Sequence, residues 1–290
     1  MENDTFRIRV HVADFDEIVE GITAASALTR ETLPMQADIA YGAGADETLD
    51  IFFPPGVRER LPVHMFIHGG YWRMFSKRDY SYVAETVTRA GAIAVIIDYS
   101  LMPKVRMNVL VDQVQRATEW VVDNISAYGG DPSVLTVSGH SAGAHLATFL
   151  FQQHASLSVV QAALLLGGIY NLKPLQSSFL ASEIGITDAE VAAYSPISHA
   201  YDPGCRVIVA VGADETPPFH QQATEFAIAT QRQGLPVSMQ TIYAADHMSS
   251  VRDLGRPDSA TGALLNKLVI EAKAGRGDKR DRKTSLAGGC

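Results

Sequence analysis

The segment Gly139-His140-Ser141-Ala142-Gly143 constrains this chain more than any other. It follows the apolar run Val134-Leu135-Thr136-Val137 and precedes Ala144-His145-Leu146-Ala147. The first run has the composition of a buried strand, the second that of a helix. A chain that passes from strand to helix through one serine needs small neighbours, because the backbone bends too sharply for side chains on both sides. Such a turn lifts a serine hydroxyl clear of the sheet. It also aims the free N–H groups of the following helix at the place where negative charge develops in acyl transfer. The five-residue pattern is short, and its weight comes from this strand-turn-helix setting and from two further motifs.

Composition narrows the alternatives. Of 290 residues 47% are hydrophobic and 19% charged, enough apolar material for a large globular core. A net charge of −8 argues against a nucleic-acid binder. No run of eighteen apolar residues and no basic, apolar leader is present, so neither a membrane span nor a cleaved signal is expected. The two cysteines, Cys205 and Cys290, make no disulfide framework and suit a reducing cytoplasm. The stretch 274–290 sets Arg276, Lys279, Arg280, Arg282 and Lys283 against Asp278 and Asp281, and reads as a disordered basic tail. No feature addresses oligomeric state.

From about residue 36 short apolar runs alternate with longer amphipathic ones, the pattern of a mostly parallel sheet flanked by helices. Strands are expected at Leu49–Phe53, Val63–Ile67, Ala92–Ile97, Val134–Val137, Gln161–Leu166, Val207–Val211 and Val237–Ile242. Helices are expected at about 78–90, 107–127, 142–153, 217–233 and 260–273, with Thr216 as N-cap and Pro217 in the first turn of the fourth. Residues 1–35 read as a helical or irregular lead-in packed on the core. Residues 36–273 form one domain, in which 171–200 break the alternation and are expected to form a small lid.

The second motif is His68-Gly69-Gly70-Tyr71-Trp72, directly after the expected strand 63–67. Acyl transfer needs two N–H donors on the tetrahedral oxyanion, one from the residue after the nucleophile, here Ala142, and one from a glycine-rich loop. Gly69 and Gly70 let that loop turn its N–H groups inward. Tyr71 and Trp72 either line the substrate pocket or pack the loop. The third motif is His247, after the strand 237–242 and before the last helix. A serine hydroxyl needs a neutral imidazole to take its proton, and of nine histidines only His247 satisfies the order nucleophile, acid, histidine. His64 and His68 lie on a strand and its edge and share no helical face, so no metal or other cofactor is expected. The acid belongs after the strand 207–211, where Asp214 and Glu215 are adjacent, and spacing alone leaves both open.

The segments His68-Gly69-Gly70-Tyr71-Trp72-Arg73, Tyr128-Gly129-Gly130-Asp131-Pro132 with Gly139-His140-Ser141-Ala142-Gly143-Ala144-His145-Leu146, and Glu215-Thr216-Pro217-Pro218-Phe219-His220-Gln221-Gln222 resemble the arylformamidase (kynurenine formamidase) branch of the α/β-hydrolases. The likeness spans roughly residues 35 to 270. It implies the α/β-hydrolase fold and a Ser141–His247 pair. Its register puts the acid on Glu215, with Asp214 as the alternative. It further implies a small N-formyl arylamine such as N-formylkynurenine as substrate. Relatives with the same motifs act on other esters, so a carboxylesterase for small aryl or short-chain esters is the neighbouring reading. A catalytically silent binding protein on the same fold would show a broken triad or oxyanion loop, and here each part has a candidate residue.

Overall fold

The computed structural model describes residues 4–56, 59–153 and 158–272. Its centre is an eight-stranded sheet in the order β1-β2-β4-β3-β5-β6-β7-β8. The strands are β1 (Met35–Ala40), β2 (Thr48–Phe52), β3 (Leu61–Ile67), β4 (Ile93–Ile97), β5 (Gly130–His140), β6 (Val160–Leu166), β7 (Arg206–Gly212) and β8 (Val237–Ile242). From β4 through β8 every neighbouring pair is parallel, whereas β2 runs antiparallel to both β1 and β4. Helices α1 (Phe15–Thr32), α2 (Ala84–Arg89), α3 (Met107–Asn124), α4 (Ala142–Ala147), α5 (Leu180–Glu183), α6 (Asp188–Tyr194), α7 (Pro217–Arg232), α8 (His247–Arg252) and α9 (260–272) connect or follow the strands. This is the mostly parallel, helix-flanked sheet expected of an α/β-hydrolase.

The seven strands read from apolar runs lie where the sequence puts them, within a few residues at each end. β5 is longer, beginning at Gly130 rather than Val134. β1 was not anticipated. It is an edge strand with four of its six residues exposed, and Asp38, at φ +54°, breaks its register against β2. A strand without a buried face carries no apolar periodicity to read. The lead-in contains α1, an 18-residue helix whose Ile18 and Ile22 join the core. The helix expected over 142–153 ends at Ala147 and continues as a 3₁₀ turn over Thr148–Leu150. The basic tail lies outside the described residues.

Between β3 and β5 the sheet holds a polar triplet. Thr136 Oγ1 donates to the Val63 carbonyl at 3.3 Å, which leaves the hydroxyl to accept from His64 Nδ1 at 2.8 Å. Ser138 Oγ then donates to His64 Nε2 at 2.7 Å. Every polar group is paired, and full burial pushes the His64 imidazole down to about 3, so it is neutral.

The segment 171–200 is an insertion of 3₁₀ turns with α5 and α6, and it buries Leu172, Leu175, Leu180 and Ile184. Its α6 starts with a reciprocal cap between Thr187 and Glu190. Arg106, before α3, donates to the carbonyls of Ile184 and Gly185 at 2.8 Å each and pairs with Glu190. One guanidinium thus clamps the insertion to the body. Among the described residues no helix is long and apolar enough to cross a membrane.

Candidate active site

Parallel strands deliver their C-terminal ends to one side of the sheet, and five of these ends meet here. β5 ends at Ser141, β3 at the His68-Gly69-Gly70 loop, β6 at Gly167, β7 at the loop carrying Asp214 and Glu215, and β8 just before His247. Ser141 has φ +54° and ψ −116°, a conformation that side chains rarely adopt and that marks stored strain at a functional turn. Its N–H donates to the Leu166 carbonyl at 2.9 Å, tying the turn to β6. The flanking glycines are required sterically. A Cβ on Gly139 would lie 2.2 Å from the Gly143 carbonyl oxygen, and one on Gly143 would lie 2.0 Å from that of Ile67.

His247 opens α8, a helix for which the sequence gives no expectation. Asp246 caps it, accepting from the N–H groups of Met248 and Ser249 at 2.8 Å each, so this carboxylate is committed to the helix. The His247 Nδ1 lies 2.7 Å from Glu215 Oε2, and both side chains are buried. A carboxylate only accepts, so Nδ1 carries the proton and Nε2 presents its lone pair. Glu215 Oε1 accepts from the Gly212 N–H at 2.9 Å, which holds the carboxylate from behind. Asp214, next in the chain, is exposed and makes no side-chain contact with His247. A Cβ on Gly167 would lie 3.0 Å from His247 Nδ1 and 3.1 Å from Glu215 Oε1, so β6 ends against this pair. Ser141 Oγ makes no hydrogen bond among the described residues; in free enzymes that bond is commonly long and tightens with substrate.

His140, which follows Gly139 in the serine turn, packs against His247. Its Nε2 donates to the His247 carbonyl at 3.0 Å, and the two rings lie 4.5 Å apart. Burial, then the neighbouring His247, pushes the His140 imidazole well below its ordinary value. His68, the first residue of the glycine-loop motif, supports that loop. Its ring stacks on Tyr99 at 4.2 Å, and Nδ1 donates to the Gly69 carbonyl at 2.8 Å. In a trans peptide C=O and N–H point oppositely, so fixing the Gly69 carbonyl on His68 turns the Gly70 N–H the other way. Gly70 itself has φ +108°, open to glycine and strained for other residues. Gly69 runs so close to the turn that a Cβ there would lie 3.3 Å from Ser141 Cβ. The N–H groups of Gly69, Gly70 and Ala142 bond to no group among the described residues.

Of the two expected uses, lining the pocket or packing the loop, Trp72 takes the second, while the half-buried Tyr71 has its hydroxyl tied to the N-terminal segment. Trp72 is fully buried, and its Nε1 donates to His145 Nδ1 at 3.2 Å. The opposite nitrogen of His145 therefore carries the proton, which goes to the Tyr194 carbonyl at 2.8 Å. Trp72 is a core residue joining the glycine loop, α4 and the insertion. Tyr71 is committed elsewhere: its hydroxyl donates to the Phe6 carbonyl at 2.6 Å and accepts from the Ile8 N–H at 3.1 Å. Thr216, the expected side-chain cap of α7, instead donates to the Thr5 carbonyl at 2.7 Å. The N-terminal segment that takes both bonds left no local signal in the sequence.

Comparison with known proteins fits this geometry. Residues 49–161 match the BD-FAE family. The kynurenine formamidase of Danio rerio is 30% identical over 274 residues, covering 90% of this chain and 89% of that protein. The chain belongs to the kynurenine formamidase family. It is a hydrolase of the α/β-hydrolase fold. The carboxylesterase NlhH of Mycobacterium tuberculosis is 31% identical over 154 residues, about half of each chain. A thermophilic carboxylesterase cloned from a metagenomic library has the same fold, with a TM-score of 0.66 at 16% identity over 91% of this chain and 98% of that one. Among the described residues no group of three or more His, Cys, Asp or Glu side chains is placed to hold a metal ion.

Proposed function

We propose that this protein hydrolyses N-formyl arylamines, N-formylkynurenine being the first to try, through an acyl-serine intermediate. The observation that carries the reading is the buried Glu215–His247 pair at 2.7 Å, beside a serine held at positive φ. Ser141 Oγ attacks the formyl carbon while His247 Nε2 takes its proton, and Glu215 stabilises the resulting imidazolium. The N–H groups of Ala142 and Gly70, with Gly69 beside them, receive the oxyanion; each such donor contributes about 3 kcal/mol to the transition state. The C–N bond then breaks, and His247 returns the proton to the departing arylamine. Water, deprotonated by the same imidazole, attacks the formyl-serine, releasing formate and restoring Ser141. A formyl group needs almost no acyl pocket, so selectivity falls to the leaving-group side.

Carboxylester hydrolysis uses the same constellation, and the likeness to a curated carboxylesterase over half of the chain supports it as the second reading. We place the enzyme in the cytoplasm, supported by the free, buried thiol of Cys205. The test is intact-mass analysis after exposure to a fluorophosphonate, with Ser141→Ala alongside. One adduct on the wild type and none on the variant is expected. No adduct on folded wild-type protein would remove the serine mechanism. Turnover of N-formylkynurenine against phenyl acetate then separates the two substrates.

A further inference from the structure

The N-terminal segment Asp4–Ile8, whose Phe6 and Ile8 join the core, also bonds to the acid loop, the glycine loop and the insertion. On the acid loop, Thr216 Oγ1 donates to the Thr5 carbonyl at 2.7 Å. On the glycine loop, Tyr71 bonds both the Phe6 carbonyl, at 2.6 Å, and the Ile8 N–H, at 3.1 Å. On the insertion, the Phe179 N–H donates to the Asp4 carboxylate, and the Arg7 guanidinium lies 4.6 Å from the Phe179 ring centre. Immediately beyond, the chain turns out to solvent, with Val10 55% exposed. Besides covering the core, the segment thus ties together the loop that carries Glu215, the loop that runs beside Ser141, and the insertion.

The side chains show which part of the site this strap faces. The Phe6 ring packs edge-on against Phe219, with centroids 6.0 Å apart at 62°. Phe219 lies 4.4 Å from the His247 ring. Tyr71 and Phe179, both bonded to the strap, form a second edge-on pair at 5.2 Å. Phe219 itself is fully buried, whereas Phe6 keeps 6% of its surface exposed; the imidazole must reach the departing atom to return its proton, so the strap's side of His247 is taken as the leaving-group side. We infer that the strap Asp4–Ile8, through Phe6, is a specificity-determining wall of the leaving-group site and selects aromatic leaving groups. The inference rests on the hydrolase reading above and adds a residue to it. Aromatic edges and faces complement one another, so a leaving ring gains a partner here that an alkyl group cannot use.

The experiment compares phenyl acetate with ethyl acetate in the wild type, Phe6→Ala and Phe6→Leu. The acyl group is the same, and each variant is divided by wild type on each substrate, which removes the intrinsic difference in reactivity. Phe6→Ala is expected to lower kcat/KM for phenyl acetate about tenfold, through KM, with ethyl acetate changed less than about twofold. Phe6→Leu, which keeps most of the volume, shifts the same ratio in the same direction by less. Fluorophosphonate labelling of Ser141 is followed in all three proteins, and wild-type labelling rates in the variants are expected. Equal losses on both esters, or no change on either, overturn the inference while leaving the hydrolase reading intact. A folded variant that no longer labels shows Phe6 supporting the triad instead, which also overturns it. Absence of labelling in the wild type removes the hydrolase reading and this inference together.

Discussion

The back of the site and its front are held in different ways. At the back, Ser141, the glycine loop and α4 are fixed by backbone against backbone: a methyl group on Gly143 would meet the Ile67 carbonyl at 2.0 Å, and the Ser141 N–H is bonded to β6. At the front, the strap is held by single side-chain groups that reach across 65, 175 and 211 residues of sequence. The back has no room for variation, as suits groups that must meet a transition state within a fraction of an ångström. The front exchanges partners at about 1 kcal/mol per bond, as suits a wall that can be altered without losing the chemistry. The proposed catalytic groups and the proposed specificity wall thus sit in parts of different rigidity.

That contrast is open to direct attack. The largest effect is expected at the back: Ser141→Ala removes about four to six orders of magnitude of turnover with an unchanged unfolding temperature, measured by steady-state assay and thermal scan. Glu215→Gln keeps the shape of the acid but not its charge, and a loss of about 10³- to 10⁴-fold in kcat is expected. Asp214→Asn, on the exposed neighbour, should stay within about twofold; similar losses for both would refute the assignment of roles. Gly143→Ala forces a Cβ into backbone and should cost roughly 3 kcal/mol or more in denaturant unfolding.

Acid is a gentler probe of the same half. Burial pushes His64 and His145 down to about 3, and His140 well below its ordinary value. In the unfolded chain these imidazoles take up protons below about pH 6.5, whereas the folded protein keeps them neutral. Their neutral burial therefore costs nothing above pH 6.5, and stability falls as pH drops from there toward 3, by up to about 1.4 kcal/mol per pH unit for each ring. Urea midpoints at pH 7, 6 and 5 should decline in that order; a flat or rising series contradicts it. The smallest effect belongs to the front. Thr216→Val deletes one strap bond, and amide exchange in residues 4–8 should quicken about fivefold while the Ser141 turn is unaffected. Equal acceleration in both places would dissolve the distinction between back and front.

Much of the back was legible in the chain. Strand, glycine, serine, glycine and helix stand within fourteen residues, and His68-Gly69-Gly70 directly follows a run of apolar residues. The order of nucleophile, acid and base singled out His247, but not its setting as the first residue of a capped helix. Between Asp214 and Glu215 spacing left the choice open, and the family register favoured Glu215. In the structure the Gly212 N–H and His247 both bond to Glu215, while Asp214 faces solvent. The sequence leaves Trp72 either in the pocket or packed on the loop; it is a core residue, because its partner His145 and the insertion beyond it come from segments 73 and 122 residues away.

Sequence by itself determined the sheet and the sharp serine turn, since these follow from periodicity and from steric limits acting within a few residues, and chain order singled out His247 as the candidate base. Only the tertiary structure decided which carboxylate meets His247, that Trp72 is buried, and that residues 4–8 bond to the glycine loop, the acid loop and the insertion. Those outcomes depend on hydrogen bonds and ring contacts between groups far apart in the chain, and such partners exist only once the sheet has brought its strand ends together.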